Sequence, residues 1–114
     1  MSDEAEINIF KALDFIRDNA SEYAKAKATR VYLEEFRKSK KALLMKDAER
    51  AGHNAVSAQE REAYADEGYQ DHLKSLQAAV ESEEKLRWLM VAAQAKIAVF
   101  QTLEATRRLE AKVL

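Results

Sequence analysis

The chain has 114 residues, room for a single domain, and 34% of them are charged, with no proline and two glycines; such a composition matches long helices and coiled coils and argues against strands. The absence of cysteine excludes disulfides, thiolate catalysis and zinc clusters built on thiolates. A formal net charge of −1 hides segregation, because residues 25–50 carry nine Lys or Arg against four acids, and the total therefore leaves a polyanionic partner open.

The first ten residues, MSDEAEINIF, are acidic where a signal peptide is basic, and no apolar run approaches the roughly 18 residues of a membrane span, so a cytoplasmic protein without membrane contact is expected. Ser2, followed by Asp3 and Glu4, is a helix start: a hydroxyl to cap free N–H groups and acids that suit the helix dipole. From there to Ala51 neither Gly nor Pro interrupts. Ile9, Leu13, Ile16, Ala20 and Tyr23 follow 4-3-4-3 spacing along one stripe. The stripe loses register at Lys27 and resumes through Ala28, Val31, Tyr32 and Phe36 to Leu43 and Leu44. Asp18 to Ser21 offers side chains able to cap, so the first arm, 1–51, is either one helix or two broken near 18–21.

Ala51-Gly52-His53-Asn54 is the clearest helix stop, and the turn is expected over 52–57. Ser57-Ala58-Gln59-Glu60 spells a capping box that opens a second arm, 58–114, with one interruption near Asp66-Glu67-Gly68. Beyond it Tyr69, Leu73, Leu76 and Val80 form a stripe that Leu86, Met90, Ala93, Ile97 and Phe100 extend. The expected fold is all-α: a long helical hairpin of antiparallel, coiled-coil-like arms in one domain. So elongated a layout leaves an apolar seam with little around it, which self-association would complete.

Arg37-Lys38-Ser39-Lys40-Lys41, with Arg30 and Lys46 one or two turns away, is the densest basic patch and could neutralise several phosphates by counterion release. The alternative is a solvated face with i to i+4 partners such as Glu34 and Lys38. Arg61 and Tyr64, three apart at the start of the second arm, share a face near the basic end of the first. A phosphate suits Arg61 and the helix N-terminus, and a base suits the Tyr64 ring. The other reading puts Tyr64 in the seam and Arg61 against an acid.

His53 and His72 are the only histidines and neither has a second ligand at metal spacing, so no metal is expected. Trp88, near Val91 and Ala92, serves either a subunit contact or core packing. No nucleophile triad, glycine-rich phosphate loop or isolated carboxylate pocket can be read from the residues. Neither enzymatic activity nor a cofactor is expected.

Three stretches together carry a resemblance: Tyr32-Leu33-Glu34-Glu35-Phe36-Arg37-Lys38-Ser39-Lys40-Lys41-Ala42, then Ser57-Ala58-Gln59-Glu60-Arg61-Glu62-Ala63-Tyr64-Ala65, then Glu83-Glu84-Lys85-Leu86-Arg87-Trp88. In that order and spacing, over about residues 22 to 112, the chain resembles a family of small bacteriophage proteins of poorly defined function often associated with recombination genes. More distantly its layout is similar to recombination mediators of the UvsY type, which load a recombinase onto single-stranded DNA. That resemblance implies DNA contacts at Arg61 and Tyr64 and assembly through the carboxyl-terminal helix. The mediators have a lysine near the position of Gln59, which this chain lacks.

The expectation is therefore a homo-oligomer that binds single-stranded DNA through Arg30, Arg37, Lys38, Lys40, Lys41, Lys46, Arg61 and Tyr64. Its subunits would meet through Leu86, Trp88, Met90, Ala93, Ile97 and Phe100, with a recombinase or annealing protein as a further partner. A scaffolding module that recruits partner helices without nucleic acid, and a small virion component, are the rival readings.

Overall fold

The computed structural model describes residues 8–113. Among them are three helices and no strand: α1 (Ile9–Arg50), α2 (Val56–Ala65) and α3 (Glu67–Val113). The expected start at Ser2 lies outside these residues. Among the described residues α1 begins behind Asn8, whose side-chain oxygen accepts the backbone N–H of Lys11 at 3.0 Å, one of the orphan donors of a helix end.

α1 runs through Asp18–Ser21 without a break. The local reason is visible in the side chains that had the option of capping. Asn19 donates its Nδ2 back to the Phe15 carbonyl, four residues earlier, and Asp18 accepts from Arg17 Nε. Both bonds leave the backbone ladder intact, so the competition that usually keeps Asn and Asp out of helix interiors is not exercised here.

The end of α1 is closed by a glycine. Gly52 has φ +108°, a conformation that L side chains rarely adopt. With it in place the Gly52 N–H reaches Glu49 O and the His53 N–H reaches Ala48 O, both at 3.0 Å. These two crossed bonds are the Schellman pattern, which satisfies carbonyls the last turn would otherwise leave free.

α2 then opens earlier than the capping-box reading places it. Ala55 is the N-cap and makes no side-chain cap bond, so Ser57 falls inside the first turn. What fixes this start is Gln59, buried although polar, whose Nε2 donates to the carbonyls of His53 (2.9 Å) and Asn54 (3.4 Å). One residue, Asp66, separates α2 from α3. Its extended backbone (φ −63°, ψ 135°) ends α2, and its carboxylate accepts the Tyr69 N–H at 3.2 Å to start α3.

The chain divides into two compact units, to both of which α1 and α3 contribute. One spans 24–83. Within it the α1 and α3 segments run antiparallel: Arg30 meets Glu83, His72 Nε2 meets the Leu33 carbonyl at 2.7 Å, and Lys40 lies against Gly68. Because a carbonyl only accepts, His72 carries its proton on Nε2. Only 8% exposed, it serves packing between helices.

The other unit comprises the chain up to Tyr23 and from Glu84 onward, described over 8–23 and 84–113. Its centre is small: Ala12 and Ala93 are 4% and 5% exposed, and Phe15, Ile16 and Asn19 are half-buried. The covered face of α1 is thus rotated from the Ile9–Tyr23 stripe, for Leu13 and Ala20 are exposed. Alanine at a seam lets two helices approach closely. The larger apolar residues are then displaced to its flanks.

Candidate nucleic-acid interface

The basic residues of 24–83 separate into groups once their partners are known. Arg30 is committed within the chain. Its Nε and one terminal nitrogen grip both carboxylate oxygens of Glu83, and its other terminal nitrogen reaches Glu34 at 2.9 Å. Hydrogen bonds to Glu83 and then Glu34 hold the guanidinium above its ordinary pKa, against the lowering by burial. A bidentate pair of this kind is the strongest geometry available to an arginine and carboxylate.

Lys38 lies 3.5 Å from Glu35, both well exposed, the kind of surface pair that contributes little. Lys40 packs its tip over the first turn of α3: a Cβ added at Gly68 would stand 3.3 Å from Lys40 Nζ and 2.9 Å from Asp66 Oδ1. Arg37, Lys46 and Arg61 are exposed, and none of them makes an ion pair within 4.0 Å among the described residues. Arg37 and Lys46 do not share a face. Nine residues at about 100° each carry Lys46 half a turn round α1 from Arg37.

The tightest grouping of candidate residues joins α1 to α2. Lys41 Nζ sits 4.8 Å from the centroid of the Tyr64 ring and 3.8 Å from Glu60 Oε1. The Tyr64 side chain first, then Glu60, hold the Lys41 ammonium above its usual range, against the opposing effect of burial. The Tyr64 ring also meets Tyr69 edge-on at 5.5 Å, and the Tyr64 carbonyl accepts from Gln70 Nε2 at 2.7 Å. Held from these sides, Tyr64 is still 43% exposed. Arg61, three residues earlier on α2, is its neighbour on the helix surface.

This geometry brings Lys41, Arg61 and Tyr64 together and leaves Arg30 and Lys46 apart from them. It also assigns a task that sequence reasoning missed. Gln59 uses its carboxamide to tie the turn, and its Nε2 is 3.4 Å from Glu49 as well. Buried polarity of this type leaves no mark in a sequence, since SAQE reads equally well as a capping box.

In the unit formed by 8–23 and 84–113, five of the six expected subunit contacts lie on one side of α3. Ala93 is buried, and Leu86, Met90, Ile97 and Phe100 are half-buried. Trp88 is 59% exposed, with the Arg87 guanidinium over its ring at 4.5 Å. Arg87 itself is held by Glu84 at 2.6 Å.

Among the described residues no group of three or more His, Cys, Asp or Glu is placed to hold a metal ion, and no helix is long and apolar enough to cross a membrane. No family model, characterised protein or solved structure matches the chain.

Proposed function

We propose that the chain is a recombination accessory protein, assembled from several copies, that holds single-stranded DNA and presents it to a recombinase or annealing protein without performing chemistry itself. The observation that carries this reading is the juxtaposition of Lys41, Arg61 and Tyr64: an exposed ring for a base, with one cation against it and a second one turn away. Single-strand binders combine aromatic stacking with a basic track in this manner. Arg37 and the tips of Lys38 and Lys40 extend the track along α1. Arg30 is left out of it because Glu83 and Glu34 occupy its donors, and Lys46 because it points away from Arg37. The bacteriophage setting rests on the resemblance carried by Tyr32–Ala42, Ser57–Ala65 and Glu83–Trp88.

Anisotropy of a fluorescent oligonucleotide, titrated over a range of salt, tests the proposal. Arg61→Ala is expected to weaken binding and to lower the log–log salt slope by about 0.7, the share of one phosphate contact on a single strand. Tyr64→Ala should cost about 1–3 kcal/mol with the slope unchanged, because stacking releases no counterions. Absence of salt-sensitive binding at low ionic strength sinks the DNA reading.

One set of observations favours a second reading, a scaffold for partner helices. Arg30, Lys38 and Lys41 each face a carboxylate of their own chain, while Tyr32, Leu43 and Trp88 stand well exposed. Under that reading the oligonucleotide does not bind and the mass in solution is unaffected by Arg61→Ala.

A further inference from the structure

The covered side of α3 faces its own chain, but a second stripe runs along the opposite side. Starting at Trp88, positions advance by four and three in strict alternation, through Ala92, Ala95 and Val99 to Thr102 and on to Val113. Every one of these positions is uncharged and every one is exposed. Such 4-3 spacing is the signature of a helix seam awaiting a partner helix. The two threonines that follow Val99 do not break it. Thr102 Oγ1 donates to the Ala98 carbonyl and Thr106 Oγ1 to the Thr102 carbonyl, both at 3.1 Å. With each hydroxyl satisfied on its own helix, no buried donor would be left over in a seam.

We infer that this stripe pairs with the same stripe of a second copy, antiparallel, about a two-fold axis between Val99 and Thr102. The occupant is identified by self-complementarity, which a two-fold interface requires. Turned end for end, the stripe sets Trp88 against Val113, Ala92 against Leu109, Ala95 against Thr106 and Val99 against Thr102. The largest residue thus meets a medium one, and an alanine meets the leucine. A parallel pairing sets Trp88 on Trp88 and Ala92 on Ala92, so that layers of very different width would have to fit one helix separation.

The flanks agree with the antiparallel arrangement. Lys96 falls beside Leu103, Leu89 beside Glu110 and Val91 beside Lys112, so no like charges meet, and the long stems of Lys96 and Lys112 cover apolar neighbours. Leu89 and Leu103, 43% and 45% exposed, widen the apolar surface that the pairing removes from water.

This pairing deepens the assembly part of the proposed function and rests on it, while DNA binding is measured independently. The chain has no cysteine, so introduced thiols report without interference. Ala92→Cys and Leu109→Cys chains are prepared separately, mixed and oxidised, with the mass in solution followed in parallel. The expected result is a disulfide-linked dimer in the mixture and little in Ala92→Cys alone. Crosslinking of Ala92→Cys alone to the same extent, or none in the mixture, overturns the pairing. A mixture that fails to crosslink while the mass still shows an oligomer removes this arrangement and leaves assembly standing; a monomeric mass removes both. Ala95→Cys mixed with Thr106→Cys repeats the test at exposed positions where neither change threatens the fold.

Discussion

Gly52 and Gly68 lack side chains for different reasons. A Cβ at Gly52 would meet nothing within 4 Å, so the constraint there lies wholly in φ +108°. Gly52→Ala is therefore expected to cost about 1–2 kcal/mol, the penalty of an L residue in left-handed backbone. Gly52→Asn should lose less, because asparagine tolerates positive φ better. Urea unfolding of the two variants checks the order, and equal losses would show that the strain is not the cause. At Gly68 the obstacle is steric, since an added methyl would stand 2.9 Å from the Asp66 oxygen that caps α3. Gly52 was legible in the sequence as a helix stop because a glycine after an uninterrupted run has one common use. Gln59 was not: its bonds go to main-chain carbonyls, and any residue can supply those.

Among the elements, α1 shows how far periodicity reaches. The spacing of Ile9, Leu13, Ile16, Ala20 and Tyr23 identifies a helix, and α1 is one, yet its covered side centres on Ala12. A stripe drawn through the largest residues misses a seam built on the smallest. Ion pairing was misread in a related way. Glu34 and Lys38 stand at the right spacing, but Glu34 accepts from Arg30, and Lys38 turns to Glu35. The decisive partner of Arg30 is Glu83, 53 residues away, and no local rule reaches that far. Arg30→Glu should lower the melting temperature by placing a third acid beside Glu83 and Glu34 at a largely buried site. Arg30→Glu with Glu83→Arg should recover much of the loss. A double variant whose loss equals the sum of the two single ones would mean that the pair is not coupled. The stripe from Leu86 to Phe100 has the same limit: an apolar repeat states that something covers it and does not state whether that is its own chain or a second copy.

On the scale of the whole molecule, composition was the most informative signal. Long helices without proline were expected, and three helices account for nearly all the described chain. A thin core was expected as well. Among the described residues no large side chain is fully buried, and the core positions are mostly alanines. Each alanine removes little apolar area from water, so the seams contribute modestly compared with a core of leucines. The remaining apolar surface, Trp88 and Leu109 included, is what the proposed pairing of copies would cover. The near-neutral total charge, by contrast, says nothing of how the basic residues of 25–50 are distributed among internal pairs, packing and open surface.

Behind the closure at Gly52 the contacts between the arms widen in steps. The Gln59 to His53 bond spans six residues, the His72 to Leu33 contact 39, and the Arg30 to Glu83 pair 53. The Lys41 to Glu60 pair lies between the first two, so each contact shortens the loop that the next must close and the entropy is lost in increments. The hairpin spanning 24–83 is expected to zip from its tip and to open from the end farthest from it. Native-state hydrogen exchange should accordingly find the slowest amides flanking the turn, near Ala48 and Ala63, with protection falling along α1 towards Ala24 and along α3 towards Glu83. Uniform protection over both helices would mean that the turn is a passive link. A gradient would make it the most stable part of the hairpin, the last to open.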